Sequence, residues 1–192
     1  MPKFRDHSLI PTEAVRLAAL GFLAESGPRA YGELAVEVRR FTSRMLGPSL
    51  DVLGTSIELL RHEGLIEPIG RRAGPSQSLS ADTHVQITEA GRTALKELLT
   101  SRVRMPMTDL SRMVVALKLR FMNLLDRAEQ KEQYEMLIEL TTAELTRLAD
   151  LRAQDGKSGD GAPGDPLGEW LDQEIAQTEE RRAWYQRRLT VL

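Results

Sequence analysis

The residues of this 192-residue chain best placed to do chemistry are arginines and small hydroxyl side chains. Arg39, Arg40, Thr42, Ser43 and Arg44 stand together in RRFTSR, which contains no acid, and Arg71 and Arg72 stand in GRRAG. Between the two clusters lie Ser49, Thr55, Ser56 and Arg61. Guanidinium groups clamp phosphate oxygens and enter minor grooves. Short hydroxyl side chains let a helix come close to base edges. Each residue alone also fits a helix cap or a solvated surface. Their arrangement on either side of GTSIELLRHEGLIEPIG favours a nucleic-acid surface, with that segment as a short helix followed by a strand.

Other chemistries lack their residues. With no cysteine there is no disulfide framework, no thiolate zinc site and no thiol nucleophile. None of His7, His62 and His84 is followed by a second histidine or carboxylate at helical ligand spacing. GKS at Gly156–Ser158 resembles the end of a phosphate-binding loop, but that motif requires glycine where Leu151 stands. The acids Asp155, Asp160 and Asp165 are five apart, unlike the alternating ligands of a calcium loop. A non-enzymatic protein without cofactor or metal is the expectation.

Composition bounds the fold. Apolar residues make up 41% and charged residues 28%, enough for a folded core. Net charge is −2 overall, but residues 1–104 hold 14 Lys/Arg against 12 Asp/Glu while residues 105–192 hold 12 against 16. Such asymmetry suits a DNA-facing first half and a second half with another task. No apolar run approaches the roughly 18 residues of a membrane helix, and MPKFRDHSLIPTE lacks a signal-peptide core. A cytoplasmic protein without membrane contact is expected.

The periodicity supplies the elements that must position the arginines. PTEAVRLAALGFLAESGP predicts a helix with Val15, Ala18, Ala19 and Phe22 on one face, stopped by Gly27-Pro28. YGELAVEVRRF predicts a second, through Leu34, Val38 and Phe41, and TSRMLGPSL a connection. A third, from about Asp51 to Glu63, buries Leu53, Ile57 and Leu60 and turns Thr55, Glu58 and His62 outward. LIEPI and THVQI predict two strands joined by an exposed tip, with Pro68 on a free edge. TEAGRTALKELLTSRVR is a helix capped by Thr88. This order describes a winged helix-turn-helix over residues 1–104, within a mainly α fold whose only β structure is the small wing.

Residues 105–192 predict C-terminal antiparallel helices. TDLSRMVVALKLRFMNLL carries Leu110, Val114, Leu117 and Phe121. A long helix after Asp126 aligns Tyr134, Ile138, Thr141, Leu145 and Leu148, and a last one aligns Leu171, Ile175, Thr178, Tyr185 and Leu189. Stripes this narrow are seams wanting partner helices, so Tyr134, Ile138, Leu145, Leu148, Leu171, Ile175, Tyr185 and Leu189 are expected at a homodimer interface. Truncation after Arg104 is expected to leave a folded monomeric winged helix. Trp170 and Trp184, two heptads apart, fit packing at that seam or the lining of a pocket for a flat aromatic effector.

Three segments, LGFLAESGPRAYGEL, LGTSIELLRHEGLIE and ITEAGRTAL, stand in the order and spacing of the PadR family of transcriptional regulators, which the chain resembles over nearly its whole length. It departs from that family's pattern at Tyr31-Gly32, usually Gly-Tyr, at Ile57, usually Tyr, and at Val85 and Gln86, where an aromatic is common. The resemblance implies a homodimeric repressor on a palindromic double-stranded DNA operator, released by a small, often aromatic, effector. MarR-type winged helices are the nearest alternative, but they place a dimerisation helix ahead of the DNA-binding helices. A winged helix serving as a protein-interaction module is another.

Overall fold

PTEAVRLAALGFLAES is apolar around most of its circumference, and it forms the central helix, α1 (Pro11–Ser26). The computed structural model describes residues 11–46, 53–70, 79–103, 107–158 and 165–192, with backbone alone at 11, 12, 46, 53–56 and 155–158. Ala14, Leu17, Ala18, Ala19 and Leu20 are wholly buried, as befits a helix without a polar face. Around α1 pack α2 (Tyr31–Leu46), α3 (Leu53–His62), α4 (Glu89–Thr100) and α5 (Asp109–Arg120). Strands β1 (Arg29–Ala30), β2 (Ile66–Pro68) and β3 (His84–Ile87) form an antiparallel sheet in the order β1-β3-β2. Glu67 pairs with Gln86 across the β2–β3 hairpin, and Pro68 lies on an edge strand, where its missing N–H is tolerated.

The second compact unit, residues 126–192, is a hairpin of α6 (Arg127–Ser158) and α7 (Pro166–Thr190). Asp126 and Glu129 form a capping box: the Glu129 N–H donates to Asp126 at 2.9 Å and the Asp126 N–H to Glu129 at 3.2 Å. Asp165 caps α7 by accepting from the Gly168 N–H, and Pro166 sits at the first helical position. Arg152 reaches across to both Asp165 and Asp172. The Arg127 guanidinium donates to the Leu192 carbonyl at 2.8 Å, fixing the end of α7 beside the start of α6.

Four features differ from the sequence reading. The second helix runs on through TSRML, because the Thr42 hydroxyl turns inward onto its own helix and no breaker occurs before Gly47. The two-residue strand β1 is too short for periodicity to reveal. The compact units divide at Leu125, not Arg104, because α5 packs on α1 and α2. That docking is specific: a Cβ on Gly21 would overlap the Phe121 ring, which meets Phe22 edge-on at 5.3 Å, and Arg120 pairs with Glu25 at 2.8 Å. Finally, Tyr134, Leu145, Leu148, Leu171 and Tyr185 are buried by α6 against α7 of the same chain. The stripes read as seams awaiting a partner are thus largely filled from within, with Ile138, Ile175 and Leu189 half-buried. Thr141 and Thr178 sit in these stripes because each donates its hydroxyl to a carbonyl one turn back.

Candidate nucleic-acid interface

Helix α3 must be held firmly at its inner face if its outer face is to read anything. Ile57 and Leu60 are wholly buried, and Arg16 of α1 pairs with Glu63 just past the helix end at 2.5 Å. The helix stops in a Schellman turn. Gly64 adopts φ 71°, the Leu65 N–H donates to the Leu60 carbonyl at 2.8 Å and the Gly64 N–H to the Arg61 carbonyl at 3.0 Å. Glycine takes this left-handed conformation without the cost a side chain incurs.

The turn is riveted to the helix after the wing. Thr88 donates its hydroxyl to the Gly64 carbonyl at 2.7 Å and its N–H to the Leu65 carbonyl at 3.1 Å. The same hydroxyl accepts the Gly91 N–H at 3.0 Å, capping α4. A Cβ on Gly91 would overlap the Leu65 oxygen, so glycine is what lets α4 approach. EGLI and ITEAGR, far apart in the chain, are therefore two halves of one joint that fixes α3 relative to the β2–β3 wing.

The start of α2 is anchored to the wing as well. The Tyr31 N–H donates to the Thr83 carbonyl and the Gly32 N–H to the Ala81 carbonyl, both at 2.8 Å. A Cβ on Gly32 would lie 3.1 Å from Ala81, which accounts for glycine in the second position of Tyr31-Gly32. Burial, then the carboxylate of Glu58, push the Tyr31 hydroxyl above its usual pKa, so it stays protonated.

Arg39, Arg40 and Arg44 are exposed on the second half of α2. Thr42 is not: it is buried and donates to the Val38 carbonyl at 3.0 Å, which removes it as a DNA contact. Ser43 donates to the Arg39 carbonyl, so its hydroxyl proton is engaged within the helix. Arg61 is half-buried with its Nη1 enclosed. Thr55 and Ser56 fall in the first turn of α3, where the backbone alone is described, and Ser49, Arg71 and Arg72 lie outside the described residues. Two outward residues of α3 were not singled out as contacts: Leu59, 46% exposed, and His62.

In the second unit Trp170 and Trp184 are 52% and 39% exposed on α7. Fourteen residues of helix separate them by about 21 Å, so within one chain no single small planar molecule touches both. Trp184 instead meets the Tyr185 ring edge-on at 5.3 Å. Burial pushes the Tyr185 hydroxyl above its usual pKa; Arg181 opposes the shift and Tyr134 adds to it.

The model of a family described as AphA-like transcriptional regulators matches residues 4–188. No curated protein matches the chain. Among solved structures, smu.1604c from Streptococcus mutans UA159 is similar at 18% identity and TM-score 0.36, over 95% of this chain and 99% of that one. Bacillus subtilis PadR in complex with operator DNA is similar at 17% and 0.36, over 92% and 98%. The same protein in complex with p-coumaric acid is similar at 17% and 0.37, over 96% and 98%.

Proposed function

The chain belongs to the AphA-like family of transcriptional regulators, and on that premise we propose that it is a homodimeric repressor that binds a palindromic operator and leaves it when a planar aromatic effector binds. The observation that carries the DNA-binding reading is the outward α3, clamped at its C-terminal end to the base of an antiparallel wing, beside a helix ending in exposed arginines. α3 enters the major groove. Arg39, Arg40 and Arg44 contact phosphates, and Arg71 and Arg72 carry the wing into the neighbouring groove or backbone.

Dimerisation is assigned to a second line of residues on α7. Trp170, Gln177 and Trp184 on the helix and Val191 at its C-cap repeat at seven and are all exposed, beside the buried Leu171, Thr178 and Tyr185. Three of the four, Trp170, Trp184 and Val191, are apolar, and apolar side chains at heptad spacing left outside a filled hairpin suit packing against the same line of a second copy. The effector fits at that seam, where the tryptophans of two chains supply flat apolar walls.

Gel shift against fragments of the gene's own upstream region tests the reading: retardation of one fragment over others of equal length is expected, and uniform or absent binding would overturn it. Substituting Arg71 and Arg72 together by Ala should weaken binding to all sequences alike and reduce the slope of log affinity against log salt concentration by about one per lost phosphate contact. An unchanged salt slope would remove the wing from the interface.

A further inference from the structure

An exposed leucine needs no explanation by itself, since folded proteins leave much apolar surface outside. Leu59 is singular because of where it stands. Ile57 and Leu60, both wholly buried, define the inward direction of α3. At 3.6 residues per turn, Leu59 lies about 200° from the first and about 100° from the second. It shares the outward surface with Glu58 and His62, one turn beyond Thr55. A regulator that buries this surface on DNA puts an isobutyl group, with no donor or acceptor, against base edges that offer mainly polar atoms. The one apolar feature in the major groove is the C5-methyl group of thymine.

We propose that Leu59 is a specificity-determining residue that reads a thymine methyl group in each half-site. The proposal rests on the DNA-binding reading above and assigns part of its sequence preference. A polar side chain at this position would seek a hydrogen bond from any base. Leucine discriminates by contact alone, favouring A·T over G·C at one position and penalising whichever base leaves its methyl groups against a polar edge.

The contact can be tested one atom group at a time. Duplexes enriched by the full-length protein from a random pool give the preferred site, and each thymine in it is then replaced by deoxyuridine, which lacks only the methyl group. Wild type should lose about fourfold in affinity at one thymine of each half-site, the worth of one buried methyl group. Leu59→Ala should bind the thymine and uracil duplexes equally, and Leu59→Met, which keeps an apolar chain, should retain the difference. Leu59 is exposed, so both variants should keep the wild-type melting temperature. Wild-type binding insensitive to every uracil, or an undiminished uracil penalty in Leu59→Ala, overturns the assignment while leaving DNA binding intact. Failure of wild type to enrich any duplex overturns the DNA-binding reading, and the contact with it.

Discussion

Lys118 places an ammonium where four-residue periodicity would put a hydrocarbon. It is 1% exposed, and its Nζ donates to the carbonyls of Leu99 at 2.5 Å and Ser101 at 2.6 Å, with Leu98 at 3.4 Å. The last carbonyls of α4 have no partner within their own helix, and a cation at a helix C-terminus also meets the negative end of its dipole. Burial lowers the Lys118 pKa from 10.5 to about 7. The folded protein therefore holds the proton less tightly than the unfolded chain does. Between about pH 7 and 10.5 unfolding takes up a proton, so the stability due to this residue rises with pH across that window; below pH 7 both states are charged and the cost of burial is fully present. Urea midpoints from pH 6.5 to 9 should show wild type gaining on Lys118→Met as pH rises. At about pH 6.5 the variant should be destabilised by about 1–3 kcal/mol, because the carbonyls lose their donor, and by more as the pH rises. None of this was legible in ALKLR. Spacing gives the face a residue occupies, and Val114, Leu117 and Phe121 were read correctly as apolar positions, but it does not reveal carbonyls from another helix waiting there.

Between elements, the strongest constraint is the joint of Gly64, Leu65, Thr88 and Gly91. Gly91→Ala drives a methyl group into a carbonyl oxygen that the Thr88 N–H already holds, so neither side yields easily. A loss of about 1–3 kcal/mol is expected in thermal or urea unfolding. Thr88→Val keeps the shape but loses the bonds to Gly64 and Gly91, at about 1–2 kcal/mol, and Thr88→Ser should restore most of it. A wild-type midpoint for Gly91→Ala would mean that α4 is free to shift away. The helix cap at Thr88 was readable from TEAG, since a short hydroxyl side chain before an acid and a helical run has one usual meaning. Its second bond, across 24 residues to the end of α3, was not. Local pattern identifies a cap's own helix and is silent about which other turn shares the hydroxyl. The third-helix core at Ile57 and Leu60 was equally plain, whereas the inward turn of Thr42 was hidden by a residue type at home both in cores and on surfaces.

For the molecule as a whole, the decisive question is where it can be cut. Residues 1–104 contain every element of a winged helix-turn-helix, yet they lack α5 and its C-cap, which supply Lys118 against the end of α4 and Phe121 against Gly21 and Phe22. Truncation after Leu125 should give a monomer with a cooperative melt. Truncation after Arg104 should lose upwards of about 5 kcal/mol, which is the entire margin of many small domains. Circular dichroism melts and sedimentation of the two fragments check this, and equal stability would make α5 a bystander to the first unit.

The hairpin of the second unit carries a different consequence, which lies in Arg152. Its Nε and Nη2 donate to the two oxygens of Asp172 at 3.0 and 3.2 Å, and its Nη1 donates to Asp165 at 3.2 Å. The alignment of α6 with α7 is thereby written in side chains on the helices themselves, independent of the segment that joins them. Lengthening such a join is cheap, since each doubling of a loop costs only about 0.6 kcal/mol. A dozen Gly/Ser residues placed between Gly161 and Ala162 should leave the melting temperature within a few degrees of wild type, whereas the same insertion made in Arg152→Ala should lower it by more than in the otherwise wild-type chain. The register of the two helices is thus fixed well enough for new sequence to be acquired between them, a tag in the laboratory or an extra segment in a descendant.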